Sequence, residues 1–228
     1  IFLSAVYSEA LFLALSAGAL LCARRERWAW AGVLGALAAA TRSAGLVLVV
    51  PLALLWWEQR PSRRFWRDLV AGAGAVPLGL LAFCLYLALT GEDAGAPFEA
   101  QETWMRAFAG PFAGAWDGVL AGWDGARQLL SGSRTPVYFE RAGGDPFAVA
   151  GRNLVNLAVL LAVAVPATVG ALRRLPLAYG AYAVAALALP LSWPVEPLPL
   201  MSLPRFVAVL VPLFLWLGWR LARSGRVG

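Results

Sequence analysis

The sequence predicts an all-α integral membrane protein: a polytopic helical bundle with a short helical hairpin and an external amphipathic helical segment. Of its 228 residues, 61% are hydrophobic and 14% are charged, which is too apolar for an ordinary water-soluble domain. Apolar runs alternate with short arginine clusters, and about 20 apolar residues suffice to cross roughly 30 Å of hydrocarbon. We therefore expect the functional groups to lie in or beside a bilayer.

The net charge of +6 describes orientation in the membrane rather than nucleic-acid binding. All 19 basic residues are arginines, and histidine is absent, which excludes a His-ligated metal site or a Ser-His-Asp triad within this chain. Twelve arginines and three acids lie in four clusters at the ends of apolar runs, with a net charge of +9. Such clusters mark the cytoplasmic ends of membrane segments. The four clusters are residues 24–27, 58–68, 173–174 and 220–226.

The arginine clusters divide the chain into six membrane segments, with the hairpin counted once. Three regions are predicted: membrane helices at 1–90, an external segment at 91–152 and three C-terminal membrane helices at 153–228. Within them the predicted helices cover residues 1–23, 28–40, 46–57, 69–90, 153–172, 175–193 and 205–219. Because the chain opens without a methionine, we expect it to be a piece of a longer protein.

The apolar stretch 28–57 is predicted to form a hairpin of two short helices. Arginine clusters flank it on both sides, so both of its ends should be cytoplasmic, and Thr41-Arg42-Ser43 interrupts its middle. A helix of 13 residues rises only about 20 Å. Arg42 is therefore expected at the hairpin tip, near the outer headgroup region.

The external segment 91–152 carries eight acids and five arginines, a net charge of −3. An aromatic stripe with a break at Gly110-Pro111 predicts a pair of amphipathic interfacial helices; its members are Trp104, Phe108, Phe112, Trp116, Leu120 and Trp123. Two Trp-Asp-Gly tripeptides place Asp117 and Asp124 on a common polar face. A stripe packed on headgroups or on the bundle is the favoured interpretation, and an acceptor-binding groove around the two aspartates is the alternative.

Three ionisable residues in or near apolar segments fall toward the outer face: Glu9, Arg42 and Arg205. An intramembrane charge indicates a functional site by default. Glu9 and Arg42 either pair with each other across two helices or line a wet polar cavity, and the sequence favours neither. Arginine suits a phosphate, because its planar fork binds oxygens bidentately and keeps its charge. A helix starting at Arg205 would add free N–H groups.

The motifs around these residues resemble the GPI mannosyltransferase 2 (PIG-V type) family and its bacterial relatives. The resemblance covers residues 4–12 (SAVYSEALF) and 39–45 (AATRSAG) well. It is moderate at residues 203–206 (LPRF) with 212–214 (PLF). These enzymes belong to the GT-C glycosyltransferase superfamily, multi-helix membrane proteins that take mannose from a polyprenyl or dolichyl phosphate on the non-cytoplasmic side.

The resemblance implies a GT-C type bundle in a bacterial plasma membrane, with its active face non-cytoplasmic. It implies a polyprenyl-phosphate sugar as donor and a lipid or glycan as acceptor. The implied donor-binding residues are Arg42 and Arg205, with Tyr7, Ser8, Glu9 and Ser43 as neighbours. The principal catalytic base of such enzymes lies in a first external loop, so we expect it upstream of Ile1. No cofactor is specified, and a divalent cation is left open.

Two other classes of protein fit parts of the pattern. A transporter or lipid flippase would explain intramembrane charges and a helical hairpin, but such folds often repeat an interrupted helix in a matching position, and only residues 41–45 are interrupted in this way. An inert scaffold subunit would not require charged residues at one depth in the membrane, as the sequence predicts for Glu9, Arg42 and Arg205. The sequence therefore favours a membrane enzyme.

Overall fold

The structure is a computed structural model that describes residues 8–59, 65–103, 106–139, 144–223 and 225. Within these residues all regular structure is helical, which confirms the all-α part of the predicted fold. The helices are α1 (Glu9–Arg24), α2 (Trp28–Thr41), α3 (Val49–Gln59), α4 (Phe65–Gly72), α5 (Val76–Leu89), α6 (Ala96–Thr103), α7 (Ala113–Leu130), α8 (Pro146–Val159), α9 (Val165–Arg174), α10 (Leu177–Ser192), α11 (Leu203–Val207) and α12 (Val211–Arg223).

The apolar stretch after Arg27 is broken where the sequence predicts a break. α2 ends at Thr41, Arg42 is extended with φ −155° and ψ 134°, and a 3-10 turn over Ser43–Leu48 leads into α3. The chain turns back here, because a Cβ atom added to Gly35 of α2 would lie 3.6 Å from a methyl carbon of Leu52 in α3. Arg42 thus lies at the tip of a helical hairpin.

Two predicted helices are each observed as two pieces. The predicted helix 69–90 was wrong as one continuous helix, because α4 and α5 are bent by 42° at the break between them; whether the pair makes a single crossing stays a prediction. Gly72 and Gly74 favour a bend there, and Pro77 in the first turn of α5 lacks the N–H that would continue the helix from α4.

The predicted helix 205–219 was also wrong as one helix. α11 ends at Val207 and α12 begins at Val211. Pro212 explains the interruption: it has no N–H to bond the carbonyl of Ala208, and its ring disfavours a helical residue before it.

The helix predicted at 153–172 is observed and begins earlier, inside the segment predicted as external. Asp145 caps it by accepting a hydrogen bond from the backbone N–H of Phe147 at 3.1 Å, and Pro146 occupies its first turn, a favourable position for proline. α8, a π-helical stretch over Leu160–Ala164 and α9 form one 29-residue helix that is largely exposed.

By length and composition, one described helix, Pro146–Arg174, could cross a membrane, and the bent α4–α5 pair is a second if it is counted as one broken span. α2, the Ser43–Gln59 segment and α10 are apolar but shorter. A buried core helix of a soluble protein passes the same test. The finding therefore agrees with membrane insertion without fixing the number of crossings.

The chain forms two compact units. Unit 1 comprises residues 1–98, 167–186 and 208–228, and unit 2 comprises residues 99–166 and 187–207. This partition differs from the three sequence regions predicted above, which stay a prediction about membrane placement.

Within unit 1, several helix ends that carry or adjoin predicted cytoplasmic clusters lie together. Tyr179, at the start of α10, interacts electrostatically with Arg24 at the end of α1 and with Glu58 at the end of α3. The Trp56 ring in α3 lies 5.9 Å from the Trp66 ring in α4. The ends of α1 and α3 and the starts of α4 and α10 therefore lie close together.

The ends of α9 and α12 meet in the same unit. The Arg174 guanidinium lies 5.4 Å from the Trp219 ring centre, and Arg223 lies 4.6 Å from the same ring. Only a two-residue turn separates Arg174 from the start of α10. The described members of all four clusters thus gather at one end of unit 1, which we call the basic end: Arg24, Arg25, Arg27, Arg67, Arg173, Arg174, Arg220 and Arg223.

Unit 2 is built on a glycine-lined face of α7. Glycines recur at steps of four, four and three residues, so they share one side of the helix, and all are buried: Gly114, Gly118, Gly122 and Gly125. A Cβ atom on Gly122 would lie 2.4 Å from a Leu157 methyl carbon, and one on Gly125 would lie 2.9 Å from the Ala150 carbonyl oxygen. The glycines therefore allow α7 and α8 to approach closely.

The aromatic stripe is not one helical face. Trp104 lies outside the described residues, Phe108 lies in a non-helical stretch, and Phe112 precedes α7 with a left-handed φ of 59°. The helical part of the stripe covers Trp116, Leu120 and Trp123, which are 65%, 47% and 64% exposed. This part does not pack on the protein, because the glycine face of α7 does so instead.

Candidate functional site

The structure joins the two sequence motifs of unit 1 through an ion pair. Nη1 of Arg42, at the hairpin tip, donates to Oε1 of Glu9, in the first turn of α1, over 3.1 Å. Of the two interpretations that the sequence left open, direct pairing is therefore the observed one. The pair lies at the opposite end of α1 and α2 from the basic end.

The local backbone explains why Arg42 is held at this point. Its N–H still bonds the carbonyl of Ala38 at 3.1 Å, and its own carbonyl accepts the N–H of Gly45 at 2.8 Å. A Cβ atom on Gly45 would lie 2.5 Å from the nitrogen of Ala39 and 2.6 Å from the oxygen of Ala38. Only glycine fits so close to α2, so Gly45 sets the tight turn that fixes Arg42.

The two partners differ in accessibility. The Glu9 side chain is fully buried, whereas the Arg42 side chain is 19% exposed. A ligand can therefore reach Arg42 but not Glu9. Because a carboxylate fixes the orientation of a guanidinium through charge-assisted hydrogen bonds, Glu9 holds the Arg42 guanidinium in a defined orientation.

The remaining predicted neighbours in unit 1 are polar and exposed. Ser8 lies just before α1 and makes no capping hydrogen bond through its side chain. Ser43 follows Arg42 directly and begins the 3-10 turn. Both hydroxyl groups are adjacent in sequence to the ion pair, on residues that solvent reaches. Tyr7 lies outside the described residues.

Arg205 belongs to unit 2, and the prediction for its backbone was wrong. It is the third residue of the five-residue α11, not the first residue of a long helix, and its N–H bonds the carbonyl of Ser202 at 2.9 Å. That N–H is therefore occupied, and a short helix supplies little dipole. Of the phosphate-binding groups predicted at Arg205, the half-buried guanidinium is the one that the structure retains.

Unit 2 contains a second arginine that sequence reasoning missed. Nη1 of Arg106 donates to the carbonyl of Trp193 over 3.4 Å, and its guanidinium lies 5.8 Å from the ring centre of Phe206, the neighbour of Arg205. Burial lowers the pKa of the Arg106 guanidinium, yet arginine stays charged near neutral pH. No described carboxylate forms an ion pair with it, so Arg106 is a half-buried cation suited to an anion.

Hydrogen bonds to Ser192 hold the backbone that follows Arg106. The carbonyl of Ser192 accepts the N–H of Ala109 at 3.1 Å, and its hydroxyl accepts the N–H of Phe112 at 3.2 Å. The Phe108 ring lies 5.4 Å from the exposed Trp193 ring. These contacts fix residues 106–112 against the chain after α10.

The proposed acceptor aspartates lie on α7 of unit 2. Both are half-buried, and Asp124 pairs with Arg127 over 3.5 Å. The acceptor groove stays a prediction. Among the described residues, no group of three or more Cys, Asp or Glu side chains could hold a metal ion, and the divalent cation that the sequence left open stays untested.

No family model matches the chain, and neither the curated proteins nor the solved structures contain a significant match to it.

Proposed function

We propose that this chain is part of an integral-membrane glycosyltransferase of GT-C type. It would transfer mannose from a polyprenyl-phosphate sugar to a lipid or glycan acceptor at the non-cytoplasmic face of a multi-pass bundle. The observation that carries the proposal is the Glu9–Arg42 ion pair. It connects the two motifs on which the resemblance to the PIG-V type family rests, and it presents an oriented guanidinium at an accessible point.

The position of the pair supports an active face away from the cytoplasm. The 16 residues of α1 separate Glu9 from the basic end, a rise of about 22 Å. Arginine clusters mark the cytoplasmic side of membrane proteins. If the basic end is cytoplasmic, Arg42 lies in the outer half of the bilayer near the outer headgroups, where the phosphate of a lipid-linked sugar can reach it.

The chemistry assigns Arg42 to the leaving group. In the transfer, a base takes the proton of an acceptor hydroxyl, the oxygen attacks the anomeric carbon, and the bond from that carbon to the phosphate oxygen breaks. The electron pair leaves with polyprenyl phosphate, so negative charge grows on that phosphate. A fixed guanidinium stabilises this charge.

Arg106 and Arg205 are the corresponding candidates in unit 2. Both are half-buried arginines close to Phe206, and guanidinium groups bind phosphate bidentately. On this ground we propose them as phosphate-binding residues of unit 2. Each should lower turnover when it is replaced by alanine.

The experiment is a paired assay on the full-length protein in sealed vesicles. One arm measures transfer of labelled mannose from a polyprenyl-phosphate donor, and the other measures movement of labelled lipid across the bilayer. Transfer that falls in Arg106→Ala and Arg205→Ala but not in Arg25→Gln, an exposed arginine of the basic end, supports the proposal. Lipid movement without transfer would establish the flippase alternative and overturn it.

A further inference from the structure

A cavity of about 420 Å³ opens at the basic end of unit 1, at the opposite end of α2 from Arg42. Its volume lies within the range of about 300–1,000 Å³ that is usual for small-molecule sites. The turn between α1 and α2, the first turn of α2 and residues of α4 line it. The cavity is therefore separate from the candidate site described above.

The lining carries charges of both signs. Arg27 and Arg67 contribute two guanidinium groups, and Glu26 and Asp68 contribute two carboxylates. None of the four forms an ion pair within 4.0 Å in the part of the chain that the structure describes. The charges of these four described lining residues sum to zero, and groups of both signs side by side suit a ligand that itself carries both charges.

A buried tryptophan forms part of the cavity wall. Trp28 lines the cavity and is only 3% exposed. Its indole nitrogen is buried and has no acceptor among the described residues. Because this nitrogen is closed off from solvent, Trp28 lines the cavity without offering its N–H to a ligand there.

One exposed indole ring lines the cavity, and two others lie on residues of the neighbouring helices α3 and α4. Trp30, which also lines it, is 62% exposed, and Trp66, the neighbour of Arg67, is 70% exposed. Trp57, close by at the end of α3, is 58% exposed. Tryptophan is enriched where the hydrocarbon meets the headgroups, so these rings place the cavity at headgroup depth.

We propose that this cavity binds the headgroup of an amine-bearing zwitterionic phospholipid of the phosphatidylethanolamine class. Arg27 and Arg67 bind the phosphate, and Glu26 and Asp68 bind the ammonium group. Phosphatidylglycerol lacks the cation that the carboxylates require, and phosphatidylcholine has a quaternary ammonium without N–H donors. The proposal depends on the membrane location of the chain, not on its proposed transferase activity.

The test is a lipid titration of the purified full-length protein by native mass spectrometry. Phosphatidylethanolamine, phosphatidylcholine and phosphatidylglycerol with identical acyl chains are compared in the same detergent. We expect phosphatidylethanolamine to bind about tenfold more tightly than the other two, which corresponds to about 1.4 kcal/mol. Equal binding of the three lipids would overturn the proposal.

Charge variants test which residues bind the phosphate of the headgroup and which bind its ammonium group. Arg27→Gln with Arg67→Gln should weaken phosphatidylethanolamine binding about tenfold, whereas Glu26→Gln with Asp68→Asn should invert the preference toward phosphatidylglycerol. Arg25→Gln, on an exposed neighbour that does not line the cavity, is the matched control. If a double variant does not fold, the single variants Arg67→Gln and Asp68→Asn are expected to change lipid affinity in the same directions by a smaller factor.

Two further results would contradict the assignment. Unchanged phosphatidylethanolamine binding in folded variants that lack Arg67 would exclude the cavity. Soluble glycerophosphoethanolamine that binds as tightly as the lipid would exclude a membrane lipid as the source of the headgroup. Because sugar transfer is not measured in this titration, its failure is distinct from failure of the proposed transferase function.

Discussion

Glu9 and Arg42 are 33 positions apart in sequence, and their side chains meet over 3.1 Å. The acid is fully buried, and the arginine is partly exposed. Such an asymmetric pair lets a protein hold a cation in a defined orientation at the edge of an apolar bundle. It also makes the two residues dependent on each other, because either charge alone would be left in a poorly solvated place.

A double-mutant cycle should detect this dependence. Glu9→Leu or Arg42→Leu alone removes one half of the buried ion pair, so each is expected to lower the free energy of unfolding by about 3–5 kcal/mol. The double variant should lose clearly less than the sum of the two. Unfolding in detergent, followed by circular dichroism, measures all four proteins. Additive losses would mean that the pair contributes no coupling.

Glu9→Gln separates a positioning role from a catalytic one. The amide keeps a hydrogen bond to Arg42 but removes the charge, so we predict a lower kcat for sugar transfer with an unchanged pH profile. A catalytic base would behave differently, because its removal abolishes the acidic limb of the pH–rate profile. Loss of that limb in Glu9→Gln would contradict the positioning role.

Gly45→Ala tests the turn that holds Arg42. The added methyl group would lie within 2.6 Å of the backbone at Ala38 and Ala39, so the hairpin tip must shift. We expect lower thermal stability and lower sugar transfer. Gly218→Ala is the matched control, since nothing lies within 4 Å of its Cβ position and alanine favours helix. Equal behaviour of the two variants would show that the tight approach at Gly45 is unimportant.

Cysteine labelling tests the orientation in the membrane. In a background in which Cys22 and Cys84 are replaced by alanine, single cysteines at Arg25 and Arg223 should react with a membrane-impermeant thiol reagent only from the cytoplasmic side. A cysteine at Ser43 should react only from the opposite side. Labelling of all three positions from the same side would contradict the orientation and the external active face.

The sequence alone predicts the hairpin tip and the residues of the ion pair. The tip is predictable because three polar residues interrupt an apolar stretch whose ends are both basic. The gathering of arginines in unit 1 likewise agrees with the clusters expected on one side. In both cases, the local composition of the sequence agrees with where the residues lie in the folded chain.

Other features depend on approaches between distant segments and leave little local signal. The glycine face of α7 is visible as a spacing, but only the positions of Leu157 and Ala150 reveal what it contacts. Arg106 is one of five arginines in the external segment, and its burial arises from Trp193 and Phe206, about 90 to 100 positions away. The breaks at Gly72–Gly74 and before Pro212 are indicated locally by the glycines and the proline. The length of each apolar run nevertheless favoured the prediction of one continuous helix.

The most direct test of the account is the kcat/KM for mannose transfer from a polyprenyl-phosphate donor, measured on the full-length protein with Arg42 replaced. We predict that Arg42→Ala loses two to three orders of magnitude, about 3–4 kcal/mol of transition-state stabilisation. Arg42→Lys should recover part of this loss, and Arg25→Gln should match the wild type. A folded Arg42→Ala variant with wild-type kcat/KM would contradict the role of Arg42 at the leaving phosphate.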